Sequence, residues 1–203
     1  MKIPAKITLS ILEQQLITQS DWIHAKNEVI RKVILLFGHL SEILVQHPTV
    51  LPEAVRQIAP KISKGENYNG LPYVVLDYPR FFEAADVFAI RSFFWWGHFF
   101  SSTFQLKGIY YDRYAENVFN RIKQQPSVKW YINRTDEEWI HDLQDKQHWT
   151  PLESGSVFIK NEKKLLKIAT ALPVSEWEDA LDFLKQNGVC FLDSMKQDQL
   201  PKR

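Results

Sequence analysis

The chain reads as an α+β protein, an antiparallel strand meander packed against helices. Three observations predict this. An apolar stripe recurs at three- and four-residue spacing over 20–47. Three strand-like runs, rich in Val, Phe, Tyr and Trp, follow one another at 71–78, 87–96 and 99–106. After them helical and strand patterns mix, without the regular alternation of a doubly wound sheet.

The first element is signalled by Ser10 and Glu13, the ends of a capping box that opens a short helix over 11–18. Ser20 and Asp21 then begin the long helix of 20–47. Trp22, Val29, Val33, Leu36, Leu40 and Ile43 form one apolar row, with Ile23, Ile30, Phe37 and Leu44 beside it. Gly38 is a place where so long a helix can bend, and a helix pair across a homodimer is the other way to bury it. Pro48 ends it. Pro52 opens a short helix through 59. The stretch 61–70, with Gly65, Asn67, Asn69 and Gly70, reads as a loop.

The meander follows, with Gly97 and His98 at its second turn, Pro79 closing the first run and Gly108 the last. A helix is expected over 110–125, stopped by Pro126, and a short strand over 128–133. Thr135 and Glu138 have the spacing of a second capping box, predicting a helix to about 147. Strands at 157–160 and 165–172 form a predicted hairpin turning at Asn161 and Glu162. Ser175 and Glu178 open a last helix, with Gly188 as its C-terminal cap. The polar tail from 196 frays. No repeat or linker divides the chain, so 1–203 is read as one domain.

Composition bounds the function. With 25 basic and 24 acidic residues the net charge is +1, so no global field draws the protein to nucleic acid. No run is apolar enough to span a membrane and no leader pattern opens the chain, which makes the cytoplasm the default compartment. Cys190 is the sole cysteine; it excludes an intramolecular disulfide and reads as a small core residue. No dinucleotide, phosphate-loop or serine-hydrolase motif occurs, and no cofactor is predicted.

Alternation along the strands places Tyr73, Asp77, Arg91, Trp95, Ser101, Thr103 and Gln105 on one face, provided the second turn has three residues; a one-residue slip exchanges the faces. Arg91 there can grip a carboxylate or phosphate, or pair with Asp77 on the next strand. Lys64, in the glycine-containing stretch before the first run, can add charge. His98, at the hairpin tip, can titrate near neutral pH. His141, Asp145 and His148 fall at i, i+4 and i+7 if the helix from Thr135 persists, a spacing that suits a metal ion but equally a solvated helix face.

Two functional readings result. One is a non-catalytic intracellular binding or interaction protein that uses its aromatic sheet and hairpin to hold a protein partner or a small anionic ligand. The alternative is an enzyme acting on a small anionic or polar substrate at the sheet face, with Asp77 or His98 carrying the proton.

Overall fold

The computed structural model describes residues 7–195 except 50, 126, 136 and 154. The expected frayed tail and the stop at Pro126 fall outside them. The helices are α1 (Ile11–Thr18), α2 (Ser20–Val45), α3 (Glu53–Arg56), α4 (Ile109–Lys123) and α5 (Ala180–Asp193). The strands are β1 (Lys61–Tyr68), β2 (Leu71–Phe82), β3 (Val87–Trp95), β4 (Phe99–Lys107), β5 (Tyr131–Asn133), β6 (Trp149–Pro151) and β7 (Leu165–Pro173). They form one seven-stranded antiparallel sheet in the order β1-β2-β3-β4-β7-β5-β6. This is the predicted α+β architecture.

One face of the sheet carries Val74, Leu76, Phe88, Ile90, Phe94, Phe100, Phe104, Leu106, Leu166 and Ile168. α2, α4 and α5 bury it through Val33, Phe37, Leu40, Tyr111, Val118, Ile122, Leu184 and Phe191. Phe104 and Phe191 stack with ring centres 4.7 Å apart. α2 is continuous through Gly38, because the core below it follows a single apolar stripe.

Several local expectations are corrected. The stretch 61–68 is a strand, not a loop: it pairs with β2, and the turn is Asn69-Gly70, both at positive φ (50° and 84°). That dipeptide is the hairpin signal, and the polar composition before it is what an edge strand carries to discourage further pairing. Segment 157–160 is not a strand. β7 is paired by β4 on one side and by β5 on the other, and the Asn161 side chain bonds both backbone groups of Leu165 (2.8 and 3.1 Å).

Gly188 lies inside α5 rather than after it; a Cβ there would stand 2.8 Å from Leu44 Cδ2, so it serves close packing of α5 on α2. A 3₁₀ turn, Val174–Asp179, leads into that helix in place of a capped start at Ser175. Pro79 does not end β2, which continues to Phe82: the proline follows a cis peptide bond where the register shifts between Asp77 and Arg80, so no ladder bond is lost to it.

Gly108 turns the chain from β4 into α4 at φ 61°, and a Cβ there would meet Asp86 Oδ1 at 2.0 Å and the Ala85 carbonyl at 2.4 Å. Asp86 Oδ1 meanwhile accepts the Ile109 N–H at 2.8 Å. Gly108→Ala is expected to cost more than about 1 kcal/mol, because both the backbone conformation and the space exclude the methyl. Thermal unfolding checks this, with a fall in Tm of at least about 2–4 °C.

Candidate functional site

The second face of the sheet is half aromatic and half polar. The β3–β4 turn has three residues, since Trp95 pairs with Phe99, and this places Asp77, Arg91 and Thr103 side by side across β2, β3 and β4. The next row down holds Ala89, Gln105 and Lys167. Above, Tyr73, Val75, Phe93, Trp95 and Phe99 form the aromatic half.

Segment 134–148 covers the polar half. It is not the predicted helix. Its backbone is held in turns by short polar side chains: Asn133 Oδ1 accepts from Thr135 N (2.7 Å), Asp142 Oδ1 from Gln144 N (2.9 Å) and Asp145 Oδ1 from Gln147 N (2.9 Å). Glu138 does not close a capping box. Its carboxylate accepts from Gln105 Nε2 (2.6 Å) and Lys107 Nζ (2.7 Å) on β4, and strong partners on the sheet outcompete a cap.

Three cationic or imidazole groups meet beneath this cover. Arg91 forms a two-pronged pair with Asp77, Nε to Oδ1 at 2.7 Å and Nη2 to Oδ2 at 2.9 Å, with its side chain only 15% exposed. Its Nη1 donates to His141 Nε2 at 3.0 Å, which puts the imidazole proton on Nδ1. The guanidinium also lies 5.3 Å from the Trp139 ring centre and 5.6 Å from that of Phe82. Lys167, 1% exposed, donates to the carbonyls of Glu138 and Ile140, each at 2.7 Å, with its Nζ 5.2 Å from the Trp149 ring centre.

Burial and the nearby Arg91 charge bring the Lys167 amine down to about 7, against the opposing pull of Glu138. Burial, then the charges of Lys167 and Arg91, hold His141 well below its ordinary value, so it is neutral. Its Nδ1 has no partner among the described residues. Tyr68 completes the closure: its hydroxyl accepts the N–H groups of His141 (2.7 Å) and Asp142 (3.1 Å).

The residues singled out from sequence separate into groups. Asp77 and Arg91 come together. Tyr73 and Trp95 share their face but sit in the aromatic half. His98 stacks on Trp95, ring centres 3.7 Å apart, roughly 13 Å along β3 from Arg91 at about 3.3 Å per residue. Lys64 pairs with Val74, which places it on the opposite face, at the edge strand.

With the expected helix absent, His141 does not share a helix face with Asp145 and His148. It faces Arg91, whereas His148 Nδ1 meets Asp145 Oδ2 at 2.8 Å. No group of three or more metal-ligating side chains is gathered among the described residues.

Sequence reasoning passed over Lys167, Glu138 and Tyr68. Lys167 carried a signal: it is the lone charge on the alternation Leu165, Lys167, Ala169, Ala171 of a half-buried strand. Glu138 and Tyr68 carried none, because their partners are distant in the chain.

Chemically, the arrangement holds a segment against a sheet. The Arg91 fork that could bind an anion is occupied by Asp77, and the Lys167 amine is bonded to two carbonyls. Comparison with protein-family models, with curated proteins and with solved structures returns no match.

Proposed function

We propose that the protein is a non-catalytic interaction protein, that its contact surface is the N-terminal helical arm, and that the arm's partner is a second copy of the chain. One observation carries this. α1 has no buried residue, although Ile11, Leu12, Leu16 and Ile17 populate it; Ile11 is 77% exposed, and Trp22 and Ile23 at the start of α2 are 64% and 58% exposed. From Ile11 through Leu12 and Leu16 to Ile17 the apolar side chains span an arc of about 240° around the axis at 3.6 residues per turn. Glu13, Gln14, Gln15 and Thr18 take the remaining positions, and a helix with apolar side chains over so wide an arc ordinarily buries part of it.

The aromatic hairpin offers no comparable surface, since Phe93, Phe94, Trp95, Phe99 and Phe100 are all buried in the two cores. Two arguments favour a second copy. The exposed apolar area of the arm is on the order of the roughly 800 Å² per partner of a standard interface. The exposed apolar side chains of α1 and of the start of α2 lie next to one another in the chain, and two arms meeting about a two-fold axis would cover both sets at once. The charges of this region, Glu13 and Asp21 against Lys26, nearly cancel and do not oppose self-association. No helix among the described residues is long and apolar enough to cross a membrane.

The test is sedimentation or light scattering across protein concentration. The expected result is a dimer, with a dissociation constant in the micromolar range or below, converted to monomer by Leu12→Asp with Ile17→Asp, both largely exposed positions. A wild-type chain that stays monomeric at about 100 μM, more than tenfold above that range, would overturn the proposal.

A further inference from the structure

A cavity of about 500 Å³ lies away from the arm and from the polar sheet face, where β5 and β7 part. These strands pair only at Tyr131–Ala169 and Ile132–Ile168. Beyond that point β5 follows β6, with Asn133 opposite Trp149, and Leu165 and Leu166 of β7 have no β5 partner. Segment 156–163 runs alongside the gap without regular structure. Phe158 anchors it from below, 5.5 Å from Phe119 and 6.0 Å from Tyr111 between ring centres.

Depth in this cavity is apolar, from Phe119, Ile132, Phe158 and Leu166. The mouth is polar, and its neutral groups already hold partners. Asn133 accepts from Thr135 and donates to the Glu137 carbonyl; Asn161 serves Leu165; Ser156 Oγ accepts from Glu153 N. What remains for a ligand is charge.

Arg134 uses only Nε, donated to Thr150 Oγ1 at 3.1 Å, and the ammonium of Lys160 has no ion pair among the described residues. Among the described residues Glu162 is the single acid of the lining. Val157 and Ile159, on the same segment, are 75% and 78% exposed.

The geometry points to a binding site for a small amphipathic carboxylate, an apolar chain seated on Phe119 and Leu166 with its carboxylate between Arg134 and Lys160. The volume falls in the range of small-molecule sites, roughly 300–1,000 Å³. A sugar or nucleotide would bring hydroxyls and amides to a mouth whose own amides are satisfied and to apolar walls that leave them unpaired, which is costly. A carboxylate with an apolar chain brings neither. Closing segment 156–163 over that chain would also cover Val157 and Ile159.

The test is calorimetric titration of the full chain with octanoate, with octylammonium and octanol as probes of the head group. Backbone hydrogen exchange locates the bound chain. Octanoate is expected to saturate at one per chain, to outbind both other probes, and to protect amides in 156–163. The variant Arg134→Ala with Lys160→Ala should weaken it about tenfold, the equivalent of two partly exposed ion pairs. Ile159→Glu, which sets a like charge at the mouth, should weaken it independently.

The Leu12→Asp, Ile17→Asp variant should bind as the wild type does. Equal binding of octanoate and octanol, unchanged affinity in both mouth variants, protection at 7–23 instead of 156–163, or no saturation would each overturn the assignment.

Discussion

Replacing Asp77 by alanine is expected to destabilise the fold by about 3–5 kcal/mol, the usual cost of removing one partner from a buried ion pair. Among the described residues Asp77 is the one carboxylate bonded to Arg91 beneath the 134–148 segment, and Lys167 lies close enough for its charge to be felt in the same space. Without Asp77 the guanidinium keeps its contact to His141 but loses its bonded counter-charge, and the cations repel in a poorly solvated layer.

The double variant Asp77→Leu with Arg91→Met should recover most of the loss, since an apolar pair of similar volume avoids the desolvation cost altogether. Urea unfolding, with the midpoint read at unchanged slope, decides between outcomes. A single-variant loss within about 1 kcal/mol would put the pair on the footing of a surface ion pair and remove it as the anchor of the site.

Stability is expected to rise with pH from about 5 to 9, against the common maximum between roughly 5 and 8. The Lys167 amine titrates at about 7 in the fold and at its ordinary 10.5 in the unfolded chain. Between those values the unfolded state holds a proton that the native state has released, so raising the pH favours folding, by at most about 1.4 kcal/mol per pH unit from this group.

His141 acts in the same direction at the acid end. Its native value lies well below 6.5, so as pH falls through 6.5 the unfolded chain takes up a proton that the fold refuses, and stability is lost. Unfolding in urea at pH 5, 7 and 9 should show both limbs. Lys167→Met should flatten the upper limb and His141→Gln the lower. Lost bonds to the Glu138 and Ile140 carbonyls shift the Lys167 variant's baseline but not its slope. A wild-type protein with no slope above pH 7 would mean that the amine stays charged in the fold.

Both effects arise in a layer whose sheet half was legible in the residues and whose cover was not. Alternation alone sorted Asp77, Arg91, Thr103 and Gln105 onto one face, because strand side chains change sides at every residue. Turn length was the undetermined quantity, and pairing of Trp95 with Phe99 settles it. The cover was misread because Thr135 and Glu138 have helix-start spacing. That spacing is a local signal, and Glu138 answers a longer-range one from Gln105 and Lys107, about thirty residues away in sequence.

The same distinction separates the rest of the chain. By itself the sequence determined the fold class, the long apolar helix, the three central strands and the pairing of Asp77 with Arg91 as a stated alternative. These follow from periodicity and from neighbours on adjacent strands. Only the tertiary structure decided that 61–68 is an edge strand, that Gly188 makes room for Leu44, that Lys64 and His98 stand apart from Arg91, and that the apolar arm is left uncovered. Each depends on which surfaces meet, and contacts between distant segments leave no spacing in the chain for a local pattern to record.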